Sequence, residues 1–438
     1  MQKQRLELDW IGKDEEPRLE PRILIQDGEL SFGDADGNKI INGDNLLALK
    51  ALEQEYSGKI KFVYIDPPYN TGNTFEHYDD NLEHSTWLNL MKPRLQLLRK
   101  LLRNDGFICV HIDDAEGAYL KVLLDEVFGR PNYLATFYIQ VRYPEKTLKE
   151  NMAFHKGIEQ VHIYRKTPEA QPIRKAITKT LDKFCWYVEE LGKGKELNLG
   201  GKSVKVFKPG EFRLTEGDAN VDGLKEIWAA GTILDGNSSG RFFRDFLTNR
   251  KEKDGLGVLY KVEGIGDDGL GHRYFTGPAR ASATRGKYFQ GVPVDQRETG
   301  PKTSFVPIEN YYNLAADFGN CRHEGGVEFR SGKKPEKLLA MLLEHFSEKG
   351  DWVLDSFSGS GTTAAVGHKM GRKWIAIELK DHCITHTQKR LLNVCTGQDK
   401  TGVSEQFQWT GGGGFTFYRL APSLLMKDSK GNWIFPPA

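Results

Sequence analysis

Four residues at the end of an apolar run, Asp66-Pro67-Pro68-Tyr69, are the part of this chain best suited to chemistry. The run before them, Ile60-Lys61-Phe62-Val63-Tyr64-Ile65, is β-branched and aromatic, and it reads as a buried strand that the two prolines stop. A carboxylate, a rigid carbonyl-bearing turn and an aromatic ring are thereby delivered to the carboxyl edge of a sheet, where α/β sheets place their ligands. Asp66 can accept one hydrogen of an exocyclic amine and the Pro67 carbonyl the other. Pro68 stiffens the turn, and Tyr69 can stack on a ring. That set suits the amine of a nucleobase taken out of its stack. The same residues also fit a strand that ends in a proline turn beside an incidental acid.

A second constellation lies far downstream, in Asp351-Trp352-Val353-Leu354-Asp355-Ser356-Phe357-Ser358-Gly359-Ser360-Gly361-Thr362-Thr363. Trp352–Leu354 reads as a short strand, and the Gly-x-Gly as a tight turn that lets a ligand approach the backbone. Residues 364–370 read as a helix, and Lys373–Glu378 as a strand with an acid at its tip. Strand, glycine turn, helix, strand and acid form one nucleotide-binding half of a doubly wound sheet. Glu378, about 20 residues past the glycines, is placed to meet paired ribose hydroxyls.

Together these motifs resemble the S-adenosylmethionine-dependent DNA amino-methyltransferases. The order, Asp-Pro-Pro-Tyr before Phe-x-Gly-x-Gly, is that of the β class. Asn42-Gly43-Asp44-Asn45-Leu46-Leu47 resembles the family's segment before the catalytic strand. The stretch Asp105–Glu116 resembles the modification subunits of Type III restriction systems, and Lys334-Pro335-Glu336 resembles the opening of the helix before the cofactor loop. The resemblance covers about residues 40–165 and 330–395. It implies an α/β fold with a doubly wound, mostly parallel Rossmann-like methyltransferase sheet and an inserted mixed or β-rich target-recognition domain. It implies methyl transfer from S-adenosylmethionine to adenine N6 of a flipped base in double-stranded DNA, with Asp66, Pro67, Pro68 and Tyr69 as the catalytic motif. Asp355, Phe357, Gly359, Gly361 and Thr362 would shape the cofactor pocket, with Lys334 near the methionine carboxylate. Glu378 would hold the ribose and Asp44 the adenine amino group. Asp44 and Glu378 could equally cap helices, and Lys334 could lie on the surface. Cytosine N4 is the alternative acceptor, although family members of that kind more often carry Ser in place of Asp66. An inactive DNA-binding specificity subunit is a second alternative, which the intact Asp66, Gly359 and Gly361 oppose.

Composition sets the bounds. At 438 residues the chain can bury a large core, and its 39% hydrophobic and 28% charged content is that of a soluble globular protein. It shows no membrane-spanning run and no signal-peptide pattern over residues 1–20, so a cytoplasmic enzyme is expected. Five cysteines without a Cys-x-x-Cys pair argue against a disulfide framework and a standard zinc site, and His382-Cys383 with His386 makes a poor metal cage. No metal is expected.

The chain divides into an N-terminal arm (1–37), a catalytic half (38–165), a target-recognition domain (166–324), a cofactor half (325–397) and a C-terminal tail (398–438). Helices are expected at 46–56, 85–102, 116–128 and 333–346, with a loop over 70–81. Gly411–Gly414 reads as a flexible turn before an edge strand. The helix over 85–102 carries more apolar residues than one core-facing stripe needs. With the resemblance, this points to a homodimer, and a restriction subunit is the further partner that such a system would supply. From Arg142 to Lys208 the chain has 15 Lys and Arg against 8 Asp and Glu, whereas the whole chain is +1. This basic middle suits phosphate contact. Arg142, Lys146 and Lys149 are the first candidates, followed by Arg241, Arg244, Arg273, Arg280, Arg285 and Lys287 in the insertion. Charge reversal at Arg142, Lys146 and Lys149 is therefore expected to weaken DNA binding and to lower its salt dependence by roughly one unit of slope per lost phosphate contact. Affinity and slope measured by salt titration that both stay unchanged would make the basic excess a solvated surface.

Overall fold

The computed structural model describes residues 7–15, 17, 19–20, 22–70, 83–145, 154–178, 180–229, 238–299, 303–329, 332–423, 425–427 and 433–434. Lys146, Lys149 and the loop expected over residues 70–81, apart from Asn70, lie outside them. Two compact units are present, one built from residues 1–174 with 308–438 and the other from residues 175–307.

The first unit is a ten-stranded mixed sheet with helices on both faces. Its strands are β1 (Leu24–Phe32), β2 (Lys39–Asn42), β3 (Ile60–Ile65), β4 (Leu102–Ile112), β5 (Tyr133–Gln140), β6 (Ile158–Arg165), β7 (Tyr311–Asn313), β8 (Trp352–Asp355), β9 (Lys373–Glu378) and β10 (Phe415–Leu420). Their spatial order is β1-β10-β2-β9-β8-β3-β4-β6-β5-β7. The run from β10 through β4 is parallel, whereas β1 and β6 pair antiparallel with their neighbours.

Alternation along each central strand feeds two cores. Phe62 and Tyr64 of β3, with Trp374 and Ala376 of β9, face helices α4 (Glu336–Phe346), α5 (Thr362–Lys369) and α6 (Lys389–Cys395). Val63, Ile65, Ile375 and Ile377 face α1 (Asn45–Tyr56), α2 (His84–Leu101) and α3 (Gly117–Leu124). Strands β3 and β9 have the bounds that their apolar runs mark out.

Helix α2 is consumed within the chain. Trp87, Leu88, Met91, Leu95, Leu97, Leu98 and Leu101 are buried. Trp10 donates from Nε1 to Asn89 Oδ1 at 2.7 Å, and Lys92 Nζ donates to the Lys13 carbonyl, so the N-terminal segment covers a further face. The apolar surplus that pointed to a homodimer is thus used by a helix packed on two sides of its own chain.

Two expectations at the ends are corrected. The strand after the glycine run is interior: β10 lies between β1 and β2, and β1 forms the sheet edge. At Gly414 an added Cβ would lie 2.0 Å from the Phe32 carbonyl oxygen, so close packing of two backbones, and not flexibility, explains the glycine there. The arm expected over 1–37 contributes one strand, β1, to the sheet. The boundaries expected for the insertion also shift inward. Residues 166–174 and 308–324 belong to the large unit, with β7 pairing parallel to β5.

The second unit is an eight-stranded antiparallel sheet whose two faces carry separate small cores, which bears out the β-rich reading of the insertion. A short ribbon of Ala176–Thr178 with Thr303–Phe305 joins its first and last strands.

Leu98 is fully buried against the sheet. Leu98→Ala is expected to lower stability by about 2–5 kcal/mol in chemical denaturation, since partial relaxation leaves a cavity. A loss below about 0.5 kcal/mol would mean that this face of α2 is not packed as described.

Candidate active site

Parallel strands end on one side of a sheet, and this edge collects acids. Asp66 follows β3, Asp355 closes β8 and Glu378 closes β9. Asp44 follows β2, and Glu159 enters the same edge at the start of antiparallel β6. Among the described residues two adjoining cavities open here, and Phe357 lines both. The larger, about 160 Å³, is bounded by Asp44, Pro68, Arg94, Phe357, Glu378 and Leu379, among others. The smaller, about 30 Å³, is bounded by Tyr64, Asp66, Lys334, Asp355, Gly359 and Thr362, among others.

Asp66 is the acid whose bonding is incomplete. Its Oδ2 lies 2.8 Å from Lys334 Nζ, while its Oδ1 is buried without a hydrogen-bond partner. Pro68 is fixed by Trp87, whose indole nitrogen donates to its carbonyl at 2.8 Å. Tyr69 donates to Glu159 Oε2 at 3.0 Å, and burial, then Asp66 and Glu159, hold its phenol well above the ordinary tyrosine range. Glu159 Oε2 also lies 2.8 Å from His111 Nε2, and His111 Nδ1 is 2.8 Å from the Tyr64 hydroxyl. Burial disfavours the Glu159 carboxylate, but the charges of Lys334 and His111 and the hydrogen bonds of His111 and Tyr69 outweigh it and hold its pKa at about 2. Burial likewise opposes the Lys334 ammonium, yet Asp66 and Glu159 raise its pKa above the ordinary lysine value.

The glycine turn is shaped for close approach. Gly359 (φ +53°) and Gly361 (φ +78°) both occupy the left-handed region. A Cβ on Gly359 would meet nothing within 4 Å, so the turn presents open space beside the smaller cavity. A Cβ on Gly361 would press on Thr387 at 3.1 Å. Gly361 therefore shapes the turn, and Gly359 gives the clearance. The turn is held from behind by fully buried Arg390, which donates to Ser360 Oγ (3.1 Å), Thr362 Oγ1 (2.7 Å) and Glu336 Oε1 (2.8 Å). Glu336 in turn pairs with buried Lys369 at 2.7 Å. The Thr362 hydroxyl is thus engaged by the protein itself.

Glu378 lines the larger cavity with both oxygens oriented. The Gly359 amide donates to Oε2 at 2.5 Å, the Leu379 amide donates to Oε1 at 2.8 Å, and His382 Nε2 lies 2.8 Å from Oε1. Asp44 is both helix cap and cavity wall: Oδ1 accepts from the Leu47 amide at 3.1 Å, and Oδ2 faces Arg94 at 3.4 Å. Lys334, expected beside a cofactor carboxylate, is 7% exposed and not on the surface; it lines the smaller cavity and pairs with Asp66. Among the described residues no three His, Cys, Asp or Glu side chains come together to hold a metal.

The expected basic contacts fare unevenly. Arg241, Arg244, Arg280 and Arg285 are exposed, and Arg244 pairs with Asp245 at 2.7 Å. Lys287 is half-buried, 2.8 Å from Glu226 and stacked 4.9 Å over the Trp228 ring. Arg142 donates to the Lys156 carbonyl at 3.2 Å. Arg273 is a correction. It is 3% exposed and paired with buried Asp268, so it braces the second unit's interior and is not presented to a ligand.

Residues 60–389 match a family model described as DNA methylase. The chain belongs to that family. It is 31% identical over 431 residues to the "Probable type III restriction-modification enzyme HindVI Mod subunit" of Haemophilus influenzae, covering 90% of this chain and 56% of that protein. The EcoPI Mod subunit of Escherichia phage P1 is 24% identical, with 83% of this chain and 61% of the relative covered. The StyLTI Mod subunit of Salmonella typhimurium is 28% identical, with 82% and 55% covered. The chain therefore spans little more than half the length of these relatives. In this DNA methylase family member the sequence motifs gave no role to His111, which lies inside the Asp105–Glu116 stretch, and missed Glu159, Arg94 and Arg390. The signal available for the first two is a charged or titratable residue inside an apolar strand, as in Val110-His111-Ile112 and Ile158-Glu159-Gln160-Val161.

Asp355 gives a testable pH dependence. Burial, with repulsion from Asp66 and Glu378, pushes its carboxyl up to about 7 despite hydrogen bonds from Thr363 and the Phe357 amide. Because the folded pKa lies above the unfolded one, its contribution favours the fold in acid and is lost as pH rises through 7. Asp355→Asn is expected to flatten that loss, gaining about 1–3 kcal/mol on wild type between pH 5 and pH 8 in denaturant titrations. A difference that does not change with pH contradicts the assignment.

Proposed function

We propose that the chain is a site-specific DNA methyltransferase that moves a methyl group from S-adenosylmethionine to adenine N6 of a flipped base, within or derived from a Type III-like restriction-modification system. The observation that carries this reading is the buried, unpartnered Oδ1 of Asp66 beside the open glycine turn. An acceptor desolvated without a donor costs free energy unless a ligand supplies the donor.

The residues present fit the cofactor. Glu378 and Asp44 bound the larger cavity, where ribose and adenine would lie. Gly359 leaves clearance for the reacting end, and Lys334 offers an ammonium in the smaller cavity. When bound, S-adenosylmethionine supplies an electrophilic methyl on sulfur. The chain does the remainder. Adenine N6 is a poor nucleophile because its lone pair is delocalised into the ring. Asp66 Oδ1 and the Pro67 carbonyl each accept one N–H, which localises that lone pair, and the Asp66 charge offsets the cation developing on nitrogen. Tyr69 stacks on the base, worth ~1–3 kcal/mol, with its ring fixed by the bond to Glu159.

An Asp at position 66 favours adenine N6 over cytosine N4 as acceptor. The relatives named as Mod subunits support a place in a restriction-modification system, with a restriction subunit as partner and the cytoplasm as its setting. No described helix is long and apolar enough to cross a membrane. Arg241, Arg244, Arg280 and Arg285 are the exposed candidates for DNA contact, and Lys287 can reach DNA only by leaving Glu226.

Asp66→Ala is expected to abolish methyl transfer while calorimetric cofactor affinity stays close to wild type, because Asp66 addresses the base. Single-molecule sequencing of DNA from cells expressing each form reads base, atom and motif together. Near-normal methylation by the variant overturns the mechanism, and methylated cytosine N4 replaces the acceptor.

A further inference from the structure

One ammonium lies between two carboxylates at this edge. Lys334 Nζ is 2.8 Å from Asp66 Oδ2 and 3.9 Å from Glu159 Oε2, and it sits 4.9 Å over the Tyr69 ring. This arrangement conflicts with what Asp66 has to do. A carboxylate paired with a lysine is a weakened acceptor for a neutral amine, and an amine gaining positive charge would face an ammonium. The lysine therefore needs a second anion within reach, and Glu159 is that anion.

We propose that Glu159 is a positioning residue for Asp66: it draws the Lys334 ammonium toward itself when a target amine occupies Asp66, so that the acid meets the amine with its charge less compensated. The exchange asks for little movement, because the two Nζ distances differ by about an ångström and the lysine end has rotatable torsions. It moves an ion and not a proton, since Glu159 is held at about 2 and Lys334 above the ordinary lysine value. Glu159 is itself fixed. His111 Nε2 lies 2.8 Å from Oε2 and the Tyr69 hydroxyl donates to it, so the receiving carboxylate stays in place while the lysine shifts. The same oxygen holds the Tyr69 hydroxyl, which couples the stacking ring to the shift.

The inference rests on the proposed methyl transfer, and a double-mutant cycle tests it. Wild type, Glu159→Gln, Lys334→Gln and the double variant are assayed for methyl transfer from labelled S-adenosylmethionine to unmodified genomic DNA, at saturating cofactor. With the lysine present, Glu159→Gln is expected to lower kcat on the order of 100-fold by leaving the ammonium on Asp66. In the Lys334→Gln background the same change is expected to cost less than about threefold, because no ammonium remains to be moved. Additive losses overturn the proposal. Tyr69→Phe removes only the hydroxyl tether and is expected to cost less than about tenfold. A loss equal to that of Glu159→Gln would make the tether the whole role of Glu159 and likewise overturn the proposal. Lys334→Gln alone decides the matter if Glu159→Gln does not fold. Its cost is expected to fall on the KM for cofactor, with a loss of kcat at saturating cofactor smaller than that of Asp66→Ala, whereas a kcat loss as large as that of Asp66→Ala overturns the proposal. A wild-type protein that binds cofactor but methylates no DNA would fail the functional reading, a result distinct from an active enzyme with an additive cycle.

Discussion

Repulsion among carboxylates gathered at one sheet edge is the constraint on which the rest of the site depends. Parallel strands end on the same side, which brings Asp66, Asp355 and Glu378 together, and antiparallel β6 starts there with Glu159. Water cannot screen them fully, because Asp355 and Glu378 are each 3% exposed. Each is managed differently. Glu378 is held by backbone amides and His382, Glu159 by His111, Tyr69 and Lys334, and Asp355 by a pKa raised toward neutrality. Asp66 alone keeps a buried oxygen without a hydrogen-bond partner. The arrangement leaves one unmet acceptor beside the cavities and compensates the charge around it.

The glycine turn depends on a second, deeper set of charges. Arg390, Glu336, Lys369 and Asp399 are nearly inaccessible to water and are joined by bonds of 2.6–2.8 Å. Breaking such a set by removing one member would strand the others in low dielectric, so geometry is enforced more strongly than by apolar packing alone. Arg390 carries that rigidity to Ser360 and Thr362 and so fixes the curvature of the backbone around Gly359.

Much of this was legible in the sequence, for local reasons. The bounds of β3 and β9 follow from uninterrupted apolar runs, and the start of α1 from an Asp that caps it. The identities of Asp66, Gly359, Gly361 and Glu378 as residues of one edge follow from their places at strand ends. What local pattern does not encode is which strands become neighbours. Strand β10 lies between β1 and β2 through pairings that span most of the chain, so Phe415–Leu420 read as an edge. Glu159 meets His111 only because β6 runs antiparallel beside β4. Arg273 read as a surface cation because its charge suggested it, but Asp268, five residues earlier, neutralises it inside the second unit.

The ribbon that joins Ala176–Thr178 to Thr303–Phe305 has a consequence for how the large sheet can form. The stretch from Lys175 to Pro307 separates β6 from β7, and as an open chain it would add loop-closure entropy to every pairing made across it. Once the ribbon zips, its two ends are brought side by side, and the insertion acts as a short connection whatever its length. The sheet then assembles as if its halves were near neighbours in sequence. The inserted unit can lengthen, shorten or change its surface without altering the entropy of closing the strands that carry Asp66 and Glu378.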